Sequence, residues 1–358
     1  MTAIRAEKQV ATTVVVAGVD THQRTHHVAV LTESGALLGD REFSVSKAGY
    51  QQLLDWVAGH GLIARIGVES TGSYGAGLTV HLLVAGVEVV EVNRPDKVTR
   101  ARRGKSDAID AESAARAVLN GTATARPKIK TGVVEAIRVI KVPRDRAVKD
   151  RTAAFGQLRD LVTTAPDAIH DELIGLTGRR RVARALGYRP DLSRLHDPVQ
   201  ATKHALRTLA RRIQALDAEI KPADQALATL TKQAAPSLLA MHQVGVQTTA
   251  QIIITAGQNI DRLRSEASFA RLCGVAPIPA SSGHTSSGRV RLNPGGDRDA
   301  NCALYLIATG RMGTHPATQA YVERRIAEGK TTAETIRCLK RHLARSIYRA
   351  LKTDLMTT

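Results

Sequence analysis

Two apolar runs, residues 12 to 20 and 63 to 69, each stop abruptly at a carboxylate, and nothing else in the 358-residue chain restricts the fold as tightly. The first reads Thr-Thr-Val-Val-Val-Ala-Gly-Val and ends on Asp20; the second reads Ile-Ala-Arg-Ile-Gly-Val and ends on Glu69. Short unbroken stretches of β-branched and apolar residues are the pattern of buried strands, and an acid in the last position is then delivered at the strand's tip. Around them, His27 to Leu31 and Leu37 to Val45 read as two more strands joined at Glu33-Ser34-Gly35. Lys47 to Gly59 reads as an amphipathic helix, residues 75 to 85 as a second, and Val87 to Val92 as a further strand. The predicted order, βββαβαβ, is mixed α/β, with helices packed on a central sheet.

A dense basic segment follows, in which Arg94, Lys97, Arg100, Arg102, Arg103 and Lys105 stand against the single acid Asp96. Ser106 is a predicted helix cap, and Asp107 and Asp110, three residues apart, then project from one face of the first turn. Residues 133 to 232 are rich in Ala, Leu, Arg and Asp, which predicts long, coiled-coil-like helices broken near Gly187 to Pro190 and at Pro198. Basic clusters recur there at Arg138 to Arg151 and Arg179 to Arg184. Met241 to Gly257 has the pattern of a helix-turn-helix pair; a long polar loop then runs to Arg298, and helices resume near Ala300, the last of them basic. The expected domains are residues 1 to 130, mixed α/β; 131 to 235, helical; and 236 to 358, mostly helical and carrying the polar loop.

Lys and Arg together number 51 against 33 Asp and Glu, a formal net charge of +18. A clustered cationic surplus of this size points to a phosphate-bearing partner. With three Phe, one Trp and six Tyr, the chain lacks the aromatic platforms that stack single-stranded bases, so backbone and shape contacts are expected. Cys273, Cys302 and Cys338 are widely spaced and odd in number, which excludes a disulfide framework and a paired-cysteine zinc site and predicts buried thiols. The sequence carries neither a bilayer-length apolar run nor a secretion leader, so a soluble, cytoplasmic protein is expected, with no membrane partner.

Four acids remain to be explained: Asp20 and Glu69 at strand ends, Asp107 and Asp110 at a helix start. In a ribonuclease-H-type fold the central strands and a later helix converge at one edge of the sheet, where such acids meet. Hard divalent cations take oxygen ligands on rigid elements, and pairs of them act on phosphodiesters. His22, His26 and His27 match no recognised metal spacing and are expected to be exposed or to pack.

Gly18-Val19-Asp20-Thr21-His22, then Val68-Glu69-Ser70-Thr71-Gly72-Ser73-Tyr74, then Lys105-Ser106-Asp107-Ala108-Ile109-Asp110-Ala111 resembles the DEDD pattern of insertion-sequence transposases related to the Piv invertase, the bridge-RNA-guided recombinases. The resemblance extends over nearly the whole chain. It implies a RuvC-like N-terminal domain in which Asp20, Glu69, Asp107 and Asp110 hold Mg²⁺ or Mn²⁺. It further implies a nucleophilic serine in the loop Pro277-Ile278-Pro279-Ala280-Ser281-Ser282-Gly283, matched best by Ser282, with Ser281 the alternative. Arg289, Arg291 and Arg298 would hold phosphates nearby. Donor and target DNA, a structured guide RNA and a homo-oligomer, dimer or tetramer, are the implied partners. A Holliday-junction-type nuclease that uses water shares the carboxylates and differs at the serine loop; a noncatalytic nucleic-acid-binding protein needs neither.

Overall fold

The structure is a computed structural model that describes residues 13–92, 106–279, 290–293 and 295–356. It divides into two compact units, one formed by Met1–Thr131 with Ala256–Ser265 and the other by Gly132–Thr255 with Glu266–Thr358.

The first unit is built on a five-stranded sheet in the order β3-β2-β1-β4-β5. Its strands are β1 (Val14–Thr21), β2 (Thr25–Thr32), β3 (Leu37–Ser44), β4 (Leu62–Glu69) and β5 (Val89–Val92). β2 and β3 pair antiparallel as a meander from β1, whereas β4 and β5 run parallel to β1 because helices α1 (Lys47–Ala58) and α2 (Ala76–Val84) form the crossovers. The read order βββαβαβ is the observed one.

Side chains alternate along a strand, so each face of the sheet has its own core. Val15, Ala17 and Val19 of β1, with Ile66 and Val68 of β4, pack under α1 and α2 against Leu53, Val57, Leu78 and Leu82. The opposite face, carrying Val16, Val90 and Val92, is covered by α3 (Asp107–Leu119) through Ala114 and Val118. Ser106 caps α3 as expected, its Oγ accepting from the Ile109 N–H at 3.3 Å.

Two glycines set how closely α3 approaches. A Cβ on Gly18 would lie 2.0 Å from Ala115 N and 2.4 Å from Ala111 O; one on Gly67 would lie 2.6 Å from Val118 Cγ2. At Gly18 the helix backbone itself rests on the strand, and no rotamer change relieves the clash. Gly18→Val is therefore expected to destabilise the first unit by about 3 kcal/mol or more, at the upper end of overpacking costs. A melting temperature equal to that of the wild type would refute this packing.

In the second unit, α4 (Gly132–Thr163) and α7 (Pro198–Ala234) lie side by side. Arg144 Nε donates to Asp224 Oδ1 at 2.8 Å, and Arg151 Nη1 donates to Asp217 Oδ1 at 2.5 Å, so the helices run antiparallel. Leu158, Val162, Leu206, Ala210 and Ile213 fill their seam, with α5 (Asp167–Leu173) and α6 (Gly178–Leu186) closing it through Ile169, Leu173 and Ala185. The breaks expected near Gly187 to Pro190 and at Pro198 mark the two ends of the connection from α6 to α7.

A single turn, α8 (Pro236–Leu239), is followed by α9 (Val246–Ala256), α10 (Glu266–Leu272), α11 (Arg298–Thr314), α12 (Pro316–Ala327) and α13 (Thr332–Leu355). Asp354 of α13 accepts from the Ser237 and Leu238 N–H groups at 3.1 and 3.0 Å, which anchors α8. α13 opens with a reciprocal Thr331–Glu334 capping box. The segment read as a continuous polar loop contains a short antiparallel pair, β6 (Pro277–Pro279) with β7 (Val290–Leu292). Three-residue strands, one of them with proline at both ends, have no periodic signal, so only the pairing reveals them. The thiol expectation is corrected as well: Cys273 is buried and burial pushes its thiol well up, but Cys338 is half-buried and Cys302 exposed. Among the described residues no helix is long and apolar enough to cross a membrane.

Candidate metal centre

The site is placed by register. Gly18 pairs with Gly67 and Val19 with Val68 across the parallel β1–β4 ladder, so Asp20 and Glu69 are the next residues on neighbouring strands. Each lies two residues past a glycine that faces α3, which puts both acids on the α3 side of the sheet. The first turn of α3 carries Asp107 and Asp110 to the same end.

Asp20, Glu69 and Asp110 are buried. A ligand atom from each of Asp20, His22 and Asp107 lies within 4.8 Å of the others. His22 Nε2 stands 3.1 Å from Asp20 Oδ2 and 3.3 Å from Asp107 Oδ1, bridging the strand-end and helix-start acids. Burial raises the Asp20 pKa above the usual carboxylate range; the His22 charge opposes this, while the charges of Asp110 and Asp107 add to it. Asp110 is thus electrostatically part of the group without being one of the three within 4.8 Å. Glu69 enters through register and facing.

The turn after β4 is tight. Ser70 adopts a left-handed backbone, φ 51°, directly after Glu69, a conformation unfavourable for a residue with a Cβ. Its carbonyl accepts from the Ser73 and Gly75 N–H groups at 2.8 and 3.2 Å. The Thr21 hydroxyl donates to Glu69 O at 3.1 Å and ties the two strand ends together. At Gly75 a Cβ would lie 2.7 Å from Glu69 O, so glycine is required where the chain folds back to start α2.

The three histidines divide. His26 stacks on Tyr50 with ring centroids 5.7 Å apart, and its buried ring has a lowered pKa through desolvation. His27 pairs with Asp40 at 2.6 Å. All three fit the expectation of exposed or packed rings, His22 being exposed, and His22 in addition joins two carboxylates. The sequence held the signal: His22 is two residues beyond Asp20, hence on the same side of the chain, which a search for zinc spacings passes over.

Ser281, Ser282, Arg94, Lys97, Arg100, Arg102, Arg103, Lys105 and Arg289 lie outside the described residues, and Arg291 is described only as part of β7. Arg298 is exposed at the start of α11.

A family model for DEDD transposases of IS110 elements, described as a transposase, matches residues 17–165, which include every residue of the acidic group. A second, described as the transposase IS116/IS110/IS902 family, matches residues 235–323. The putative transposase of the mini-circle IS117 from Streptomyces coelicolor is 24% identical over 390 aligned positions, covering 94% of this chain and 93% of that protein. An uncharacterised 43.6 kDa protein of insertion element IS110 from the same organism is 32% identical over 117 residues, 33% of this chain and 28% of the relative. An uncharacterised 42 kDa protein of IS900 from Mycobacterium paratuberculosis is 28% identical over 146 residues, 40% of this chain and 36% of the relative. These last two matches span well under half of either relative.

Acids assembled at the strand ends of a mixed sheet, together with these matches, define the class as the DEDD transposases. Within that class the chain belongs to the IS110/IS116/IS902 family of insertion-sequence transposases.

Proposed function

We propose that this protein cuts and rejoins DNA strands as a recombinase, and the observation that carries the proposal is the grouping of Asp20, His22 and Asp107 at the sheet's end, with Asp110 close enough to act on Asp20. The strand order, with parallel β1, β4 and β5 and an antiparallel meander, supports a ribonuclease-H-type, RuvC-like reading of residues 1 to 130. Residues 131 to 235 serve as a helical region for oligomerisation, and residues 236 to 358 carry the serine loop.

The donor set fits a divalent cation. Carboxylate oxygens are the ligands that Mg²⁺ and Mn²⁺ prefer, and the imidazole of His22 shifts the preference toward Mn²⁺. Holding Asp20 buried beside Asp107 and Asp110 costs energy that a bound cation offsets. When bound, Mg²⁺ or Mn²⁺ neutralises charge on the scissile phosphate and lowers the pKa of the attacking hydroxyl. Asp20, Glu69, Asp107 and Asp110 hold and orient that cation, and His22 bridges Asp20 and Asp107 when it is absent.

Ser282 Oγ is the proposed nucleophile, with Ser281 the alternative. It forms a bond to phosphorus as the phosphoester bond to one sugar oxygen breaks; the serine proton passes to a base or solvent, and the departing oxygen takes up a proton to become the free strand hydroxyl. The resulting phosphoserine keeps the ester linkage for rejoining, with no external energy source. Arg94, Lys97, Arg100, Arg102, Arg103, Lys105, Arg289 and Arg291 supply phosphate contacts. Donor and target DNA, a structured guide RNA and a dimer or tetramer complete the assembly.

Removing divalent cations with EDTA is expected to abolish strand cleavage of DNA carrying the element's ends, and Mn²⁺ or Mg²⁺ to restore it. Cleavage that persists in EDTA would end the metal reading. His22→Ala is expected to weaken Mn²⁺ binding about tenfold, read by electron paramagnetic resonance titration, with a smaller effect on Mg²⁺. An unchanged Mn²⁺ affinity would make His22 a bystander.

A further inference from the structure

The second unit contains a cavity of about 850 Å³ whose wall includes Arg324, Arg325, Lys330, Arg337 and Arg341, with Glu334 the acid among its lining residues. It lies between α12, α13 and the strand β6, which contributes Pro277.

Most of these cations have only weak or shared acidic partners among the described residues. Arg324 is 3.7 Å from Glu328, which Arg325 approaches more closely at 2.5 Å. Arg337 reaches Glu334 only at 4.0 Å. Arg341 is 3.5 Å from Glu266, which Arg345 holds at 3.0 Å. Counting Arg345, six cations face the three acids Glu266, Glu328 and Glu334, leaving a positive surplus.

Two nitrogens sharpen the case. Arg325 Nε and Arg341 Nη1 are enclosed by protein and meet no hydrogen-bond acceptor among the described residues. Leaving them without acceptors is costly, and both belong to side chains that line the cavity, where an anion offsets the crowding of like charge. The same positive field acts on His342, whose pKa is lowered first by burial and then by Arg345, Arg341 and Arg325. Tyr321 adds an aromatic face, with Arg324 stacked over its ring at 5.4 Å.

We infer that this cavity binds the phosphodiester backbone of a DNA strand, through the guanidiniums of Arg324, Arg325, Arg337 and Arg341. Forked donors match phosphate oxygens, and a volume of this size admits more than one phosphate. The wall strand β6 runs directly in sequence into residues 280 to 289, so a backbone held here belongs to the DNA presented to the serine loop. The inference rests on the reading of DNA as the substrate.

The test is binding in EDTA, where no strand chemistry occurs, with the full chain, a fluorescent DNA duplex carrying the element's end, and an RNA hairpin as second probe. The double variant Arg324→Gln, Arg337→Gln is expected to bind the DNA at least about tenfold more weakly, and its slope of log affinity against log salt to flatten by about 2. Arg159→Gln with Arg349→Gln removes the same charge from exposed positions outside the cavity and is expected to change affinity less than about threefold. Thermal melting of both variants, matched to wild type, shows that the fold is kept. Wild-type DNA affinity and slope in the cavity variant overturn the inference, as does a loss confined to the RNA hairpin or an equal loss in the control variant. If the cavity variant melts early, Arg337→Lys replaces it, retaining charge but losing the fork, with a smaller loss of DNA affinity expected and no loss counting against the site. Failure of the wild type itself to bind DNA removes the recombinase reading and the cavity with it, whereas a wild type that binds DNA but does not cleave it leaves the cavity standing.

Discussion

Replacing Asp20 with Asn is expected to reduce strand cleavage by at least about a thousandfold while raising the melting temperature of the cation-free protein. Asparagine keeps the shape of the side chain and removes its charge. That charge is costly in the folded protein, because burial raises the Asp20 pKa and the charges of Asp110 and Asp107 add to the effect, against the opposing pull of His22. A carboxyl whose folded pKa lies above its unfolded value binds more protons in the folded state. Stability of the cation-free wild type therefore falls as pH rises from the ordinary carboxylate range through the raised value, and stays lower above it.

The Asn variant has no such group to titrate, so that step should be absent from its melting curves, and the gain at neutral pH should be about 1 kcal/mol. Mn²⁺ should raise the melting temperature of the wild type, by mass action on the folded state, and leave the variant unmoved. Melting curves with and without Mn²⁺, alongside the cleavage assay, separate the two parts. A variant that cleaves normally would remove Asp20 from the chemistry; one that melts lower than wild type would contradict the electrostatic account.

Replacing Ser282 with Ala is the second large effect. Under the proposed mechanism it eliminates the covalent protein–DNA species that survives denaturation in detergent, and strand cleavage falls by at least about a thousandfold. Ser281→Ala should leave both intact. A Holliday-junction-type nuclease using water would give the opposite result: no adduct in the wild type, and normal cleavage by the Ser282 variant. If instead Ser281→Ala abolishes the adduct and Ser282→Ala does not, the nucleophile moves one residue and the mechanism stands.

Much of the first unit was legible in the sequence, for a local reason. A strand buried on both faces must be apolar throughout, so β1 and β4 announce themselves, and the acids that end them stand out because nothing apolar follows. Ser106 followed by Asp107 and Asp110 is a local signal of the same kind, since a helix start needs a side-chain acceptor and tolerates acids. The paired glycines were legible too, but only in retrospect. Gly18 and Gly67 each sit two residues before an acid, yet their meaning depends on α3, which comes much later in the chain. His22 is exposed, as its sequence context predicts, but that it bridges Asp20 and Asp107 depends on where α3 begins.

In the second unit the long helices α4 and α7 could be read from composition, but the charged contacts that order them could not. The basic cavity was equally hidden. Arg324 and Arg325 on α12, and Arg337 and Arg341 on α13, look like ordinary solvated helix faces until the two helices and β6 are placed around one volume.

The sequence by itself determined the order of strands and helices along the first unit, the positions of the acids at strand and helix ends and the cationic character of the chain, because hydrophobic periodicity, capping and charge are written in neighbouring residues. Only the tertiary structure decided that Gly18 and Gly67 bring α3 onto the sheet, that His22 bridges Asp20 and Asp107, and that arginines of two helices enclose a common cavity. Each of these depends on strand register or on helix packing between distant segments, and such contacts exist only once the chain has closed on itself.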